Sequence, residues 1–181
     1  LGVSVGIFFG RFANFFNGEL IGREAPMGLS WAVKVPQDIH QWLSQSDAYR
    51  LAGLHDAALA VGVQADKWSQ WMTQWSTNFE VRNQIRETMD QIIVSIQNGN
   101  EVVRSALAPF LLARHPSQIY EALLEGLFCF TVCFIFWYKP RKPGVVGSVW
   151  LTLYALVRII GEQFRMPDAH LGFQLLGLTR G

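Results

Sequence analysis

Charge is what this sequence has least of. Asp, Glu, Lys and Arg make up 16% of its 181 residues, against about 25% in soluble domains. That deficit excludes an ordinary solvated surface over the whole chain. Net charge is only +1, and no basic stripe with interleaved aromatics runs along the sequence, so no nucleic-acid partner is expected. Cysteine is nearly absent. Cys129 and Cys133 stand four apart in one apolar run, where helix neighbours rarely meet disulfide geometry and further soft metal ligands are missing. They read as small apolar residues facing lipid or another helix. There is no Gly-rich nucleotide loop and no Ser-His-Asp spacing, so neither a metal nor a cofactor is expected. The start carries no basic n-region and no small-residue cleavage site, so residues 1–9 read as part of a membrane span and not as a signal peptide. The chain begins inside that apolar segment, without Met, and stops just after Leu175, Leu176, Gly177 and Leu178. A fragment of a longer protein is therefore expected, one that is inactive alone.

What the sequence does have is apolar bulk: 50% hydrophobic residues, with 7 Trp and 13 Phe. The bulk is uneven. It dominates residues 1–16, 119–138 and 145–164, while residues 24–113 resemble ordinary soluble protein. Residues 119–138 have about the length of a transmembrane helix, roughly 20 residues. Next comes Lys139-Pro140-Arg141-Lys142-Pro143-Gly144, a short basic loop with helix breakers, and such loops stay cytoplasmic. Residues 145–164 make the return span. The far ends of both spans, residues 24–113 and the exit of the first apolar segment then share the non-cytoplasmic side. The expected architecture is all-α: a polytopic helical membrane protein with an inserted α-helical extramembrane head. Residues 1–23 form the end of a membrane helix plus a loop. Residues 24–113 form the head, and residues 114–181 two spans joined by the loop 139–144 with an outer tail. Within the head, Trp68, Trp71, Trp75 and Phe79 recur at helical spacing, as do Ile85, Met89, Ile92, Ile93 and Ile96. The aromatic stripe reads as core packing, with a membrane-surface anchor as the other reading. Asn98-Gly99-Asn100 reads as a turn.

Three polar clusters reach the outer side by this topology. The first is GRFANFFNGELIGR, residues 10–23. Arg11 and Asn14 share a helix face. An arginine in an apolar stretch either snorkels to the interface or is paired and functional, and its planar fork suits a phosphate or carboxylate. The second is RHPSQIYE, residues 114–121. Pro116 fits the first turn of the span. Gln118, Glu121 and Glu125 make one polar face that should point into the bundle. His115 near the N-cap reads as a cap or interfacial hydrogen-bond partner, with a general base as the other reading. The third is RIIGEQFRMPD, residues 158–168, in which Arg158, Glu162 and Arg165 share a face. Two intramembrane arginines over a bilayer-depth cavity suit a phosphate headgroup whose tails stay in lipid. The chemistry would be electrostatic stabilisation of that phosphate as it leaves. A transporter or channel for an anionic substrate would also place Arg and Glu at depth, but it would need a polar path to the cytoplasmic side, where both spans are apolar.

The three segments, with Leu124, Glu125 and Gly126 after the second, resemble in sequence and order the signature blocks of the bacterial prolipoprotein diacylglyceryl transferases. The resemblance implies a multi-pass enzyme of the bacterial inner membrane with its active site towards the periplasm. Such enzymes move the diacylglyceryl group of phosphatidylglycerol onto the thiol of the lipobox cysteine in a preprolipoprotein signal peptide. Glycerol phosphate leaves, a thioether forms, and no metal or nucleotide takes part. Carried over, Arg11 matches the lipid-binding arginine and Arg158 a second essential one, with Glu162 its acidic neighbour. Asn14, Glu19 and Gly22 match further residues the family needs. Arg158, Asn14 and Glu19 are thus expected to be catalytic, and Arg11, Gly22, Glu162, Gln118 and Glu121 to bind substrate. The family's upstream His-Gly-Gly motif, whose His is its proposed base, does not occur in these residues, and His115 belongs to a structural block. Residues 24–113 are longer than the resemblance leads one to expect between the first two blocks.

Overall fold

A computed structural model of the chain describes residues 1–44 and 47–166. The expected outer tail, with Pro167 and Asp168 of the third cluster, lies outside the described residues. Within them the structure is helical, and β-pairing is limited to isolated bridges. The chain divides into two compact units, Lys34–Leu112 and a second made of Leu1–Val33 with the residues from Ala113 on.

Helix α1, Gly2–Asn17, opens the discontinuous unit. It ends at Gly18, whose left-handed conformation (φ 69°) closes the last turn, with its N–H donating to the Phe15 carbonyl and that of Glu19 to Asn14.

Unit Lys34–Leu112 holds α2 (Ile39–Ser44), α3 (Ala48–Gly53), α4 (His55–Ala60), α5 (Ala65–Gln74), α6 (Phe79–Gln97) and α7 (Glu101–Leu107). Side-chain caps start three of them: Asp47 for α3, Asn78 for α6 and Asn100 for α7 each accept from the first-turn backbone. The apolar faces of these short helices meet in one core, in which Trp42, Leu51, Leu54, Ile85, Met89, Ile92 and Leu107 are fully buried. The helical spacing places Trp68, Trp71 and Trp75 in that core. Phe79 departs from the stripe: it is 74% exposed. The helix ends at Gln74 and a new one, capped by Asn78, begins at Phe79, so the periodicity does not carry across. Gly99 (φ 84°) makes the turn between α6 and α7. The unit starts ten residues later than the composition shift at 24, because Glu24 and Val33 both form bridges to Arg114 in the other unit's chain segment.

The discontinuous unit resumes with α8 (Ser117–Glu121), a π-helical segment (Ala122–Phe128) and α9 (Cys129–Trp137) running on as one rod, then α10 (Val145–Glu162). The rod Ser117–Trp137 and α10 are long and apolar enough to cross a membrane, with mean hydropathies of 1.8 and 1.5. Only 33% and 17% of their apolar windows are buried, the reverse of a core helix in a soluble domain, and Leu127, Phe134, Leu151 and Leu156 face outward. The basic loop is folded back on the rod: Arg141 lies 4.3 Å over the Phe136 ring.

Two close contacts tie α1 to its neighbours. A Cβ on Gly126 would lie 2.6 Å from the Phe8 Cβ and 2.8 Å from its Cα, so α1 approaches the rod where no side chain intervenes. Trp150 on α10 donates from its indole N–H to the buried Ser4 hydroxyl on α1, at 2.7 Å. The π segment has a further effect. In an α-helix a step of four residues overshoots one turn by about 40°, so a row taken every fourth residue drifts round the rod. The wider i→i+5 turn offsets that drift. Ser117, Glu121, Glu125, Cys129 and Cys133 are all buried in consequence, and both cysteines are free thiols.

Candidate active site

Three helices bring opposite charges together inside the discontinuous unit. Arg11 comes from α1, Glu121 and Glu125 from the rod, and Arg158 and Glu162 from α10, with Arg165 one turn beyond. Arg11 reaches Glu121 Oε2 at 2.9 Å through Nη1 and Glu125 Oε2 at 3.1 Å through Nη2. Arg158 Nη1 reaches Glu121 Oε1 at 3.3 Å and Glu125 Oε1 at 3.0 Å. Its Nη2 pairs with Glu162 Oε1, which also faces Arg165 Nη1 at 3.7 Å. Each of the two rod carboxylates therefore bridges the two guanidiniums. Glu121 and Glu125 have 1% and 0% side-chain exposure, whereas Arg11 and Arg158 keep 16% and 14%. The rod carboxylates are sealed, while the two guanidiniums keep a small exposed surface. Buried charges are tolerated only when paired, and here three arginines face three glutamates. Among the described residues, no three His, Cys, Asp or Glu side chains converge as metal ligands.

The loop after α1 is held over this cluster by the other two sequence blocks. Leu20 adopts φ 53°, a left-handed conformation costly for a branched side chain. Its carbonyl accepts from the Ser117 hydroxyl at 3.1 Å, and the Glu19 carbonyl accepts from the Gln118 amide. The Arg23 N–H donates to the Phe164 carbonyl at 2.8 Å, and the His115 N–H to the Arg23 carbonyl at 2.9 Å. The Arg23 side chain donates to the carbonyls of Arg165 and Glu162, and Arg114 to that of Gly22. Gly22 lies where these segments cross. A Cβ there would collide with the His115 carbonyl and stand 3.1 Å from that of Phe164. Beside the crossing, His115, Tyr120 and Phe164 pack ring against ring, and Trp31 donates to the Tyr120 hydroxyl at 2.7 Å.

Of the residues singled out by sequence, the structure brings Arg11, Glu121, Arg158 and Glu162 into one ion-pair cluster. Asn14 is half-buried one turn from Arg11 on α1, with no side-chain partner among the described residues. Glu19 is exposed: its carbonyl is engaged and its carboxylate makes no ion pair among the described residues. Gln118 braces the loop, and Gly22 sits in the backbone crossing. The His115 side chain is engaged with Tyr120 and Phe164. Glu125, which the sequence placed on the polar face without a role, is the most buried member of the cluster. Its signal was a second glutamate four residues on, in a span with few charges. Arg23, Arg114 and Ser117 each bond to backbone carbonyls, which leave no pattern in sequence.

The chain is 46% identical over 177 residues to the phosphatidylglycerol–prolipoprotein diacylglyceryl transferase of Bdellovibrio bacteriovorus, covering 98% of this chain and 50% of that protein. It is 31% identical over 179 residues to the protein of that name from Neisseria meningitidis serogroup B, covering 99% and 46%. To the Psychrobacter arcticus protein of that name it is 33% identical over 182 residues, covering 99% and 45%. The chain thus spans about half the length of the curated relatives it matches. No solved structure gives a significant match. The family model described as prolipoprotein diacylglyceryl transferase matches residues 1–181, signature loop, ion-pair helices and intervening unit alike, and on that match the chain belongs to this transferase family.

Proposed function

We propose that the protein transfers the diacylglyceryl group of phosphatidylglycerol to the lipobox cysteine of a preprolipoprotein, the first step of bacterial lipoprotein maturation. The observation that carries this reading is the pair of arginines, Arg11 and Arg158, fixed from behind by sealed carboxylates while their own surfaces stay partly open. A lipid phosphate is the anion that such a pair would meet at the end of two apolar spans. In this reading Arg11 holds the phosphate. The cysteine sulfur attacks the glyceryl carbon that bears the phosphate ester. The carbon–oxygen bond breaks, the thiol proton passes to a general base, and glycerol phosphate leaves as its developing charge is met by Arg158. Asn14 and Glu19 line the approach to Arg11 in this scheme. Gly22 and Gln118 fix the loop above it, while Glu121 and Glu162 hold the guanidiniums.

The topology proposed is that of a multi-pass protein of the bacterial inner membrane, with the basic loop 139–144 inside and the cluster towards the periplasm. Lys34–Leu112 is then an extramembrane helical head. The cytoplasmic-side halves of the spans, residues 128–137 and 145–157, hold no Asp, Glu, Lys or Arg, which disfavours a translocation path for an anion. The test is a transfer assay on the whole protein with phosphatidylglycerol and a lipobox peptide. Thioether adduct from wild type and its loss in Arg11→Ala is the expected result. No adduct from wild type, or undiminished product from Arg11→Ala, would overturn the proposal.

A further inference from the structure

Glu125 is the one glutamate of the cluster that makes a hydrogen bond of good geometry to both arginines. Its Oε2 accepts from Arg11 Nη2 at 3.1 Å and its Oε1 from Arg158 Nη1 at 3.0 Å. Glu121 bonds Arg158 in this way, but its Oε2 lies off the N–H axis of Arg11. One planar, fully buried group therefore touches both cations, one oxygen apiece. Neutralising two arginines does not require that arrangement, since a separate carboxylate for each would do it. What a shared carboxylate adds is a fixed gap between two guanidiniums that would otherwise repel one another.

We propose that Glu125 is a positioning residue of the transfer reaction, setting the separation of Arg11 and Arg158 so that their remaining N–H groups converge on one phosphate. This rests on the function proposed above. Arg11 donates one N–H from Nη2 to Glu125 and holds Nη1 against Glu121 as an ion pair, which leaves the other donors of its five-donor fork for a ligand. The fork is held from inside the bundle by side chains with almost no exposed surface, so it cannot swing towards the ligand and back. The π segment is part of the device. It keeps Glu121 and Glu125 in line on the rod, so that both reach the same two cations from one side. Gly126, next along, lets α1 come close enough for Arg11 to meet them. Misplacing a reacting group by about 1 Å costs on the order of 100-fold in rate, which sets the scale of the expected effect.

The experiment compares wild type, Glu125→Gln and Glu125→Asp as whole proteins in the transfer assay, with kcat and the KM for phosphatidylglycerol normalised to folded enzyme. A positioning role predicts that kcat falls on the order of 100-fold in both variants, while KM moves by about threefold or less. Glu125→Asp is decisive. It keeps the negative charge and so avoids stranding a guanidinium, but it is one methylene too short to touch both arginines. It carries the test if Glu125→Gln does not accumulate. A purely neutralising or structural role predicts wild-type kcat per folded molecule in Glu125→Asp, and that result would overturn the inference while the proposed function stands. No adduct from wild type would overturn both.

Discussion

The two units of this chain are built inside out with respect to each other. In Lys34–Leu112, tryptophans fill the core and ion pairs sit outside: Trp42 and Trp68 are buried, while Arg104 and Glu101 pair in the open. In the other unit glutamates and arginines form the interior, and Phe9, Leu151 and Ile135 cover the exterior. The same physical rules give both. Apolar surface leaves water in the first case. In the second, charge gathers where it can be paired and apolar side chains face a medium as apolar as themselves. Exposure alone thus carries opposite meanings in the two units, and mutations test that contrast directly.

The largest effect is expected for Arg158→Ala, which takes one cation from three buried carboxylates and leaves them only Arg11 and the more distant Arg165. Removing one partner of a buried pair costs about 3–5 kcal/mol, and transfer activity should drop by about 10³-fold or to background. Activity and thermal stability of the purified protein measure both; retention of either would break the contrast at its centre. Trp42→Ala should cost a similar 3–5 kcal/mol, but through a cavity in the other unit. Hydrogen exchange over residues 34–112 reads this as lost protection.

The sharpest comparison sets two exposed apolar residues side by side. Leu151 is 62% exposed and Phe79 74%. Leu151→Asp near the middle of α10 should cost about 2.5–3.5 kcal/mol of membrane insertion, measured as the inserted fraction in a glycosylation-reporter fusion. Phe79→Asp opens α6, where an acidic residue suits the helix N-terminus, and should change stability by about 0.5 kcal/mol or less. Equal effects at the two sites would abolish the distinction. The smallest effect belongs to Glu101→Gln. It breaks an exposed i,i+3 pair and should cost less than about 1 kcal/mol, shrinking further at high salt. A denaturation midpoint shift beyond that would place the pair in a less solvated setting.

The spans were legible in sequence because composition alone separates them from the soluble-like stretch. The apolar runs near 119–138 and 145–164 meet the helices Ser117–Trp137 and Val145–Glu162 within two residues at each end. Arg11, Glu121, Arg158 and Glu162 were legible because a charge inside an apolar run needs a partner. The boundary near residue 34 was not. Residues 24–33 look like soluble loop but are tied by backbone bonds to Arg114, and a carbonyl carries no mark of its partner. Gly22 showed as one glycine among 16. Its need for a bare Cα arises from two segments more than 90 positions away, at His115 and Phe164. The break in the aromatic stripe before Phe79 was hidden because Asn78 is an unremarkable residue until it caps a helix.

The π segment Ala122–Phe128 gives the rod a place where one residue of chain length can be taken up. Loops such as 139–144 tolerate gain or loss of a residue, because slack absorbs it. Inside the rod the wide turn between Glu121 and Cys129 can do the same, because i→i+5 bonding holds one residue more than i→i+4. Removing one residue within Ala122–Phe128 can therefore turn the segment into α-helix and leave Cys129 and Cys133 on the buried side, whereas removing one from the regular α-helix Cys129–Trp137 turns everything after it by about 100° about the rod axis. A deletion of one size is thus absorbed at one point of the rod and swings its far end round at another.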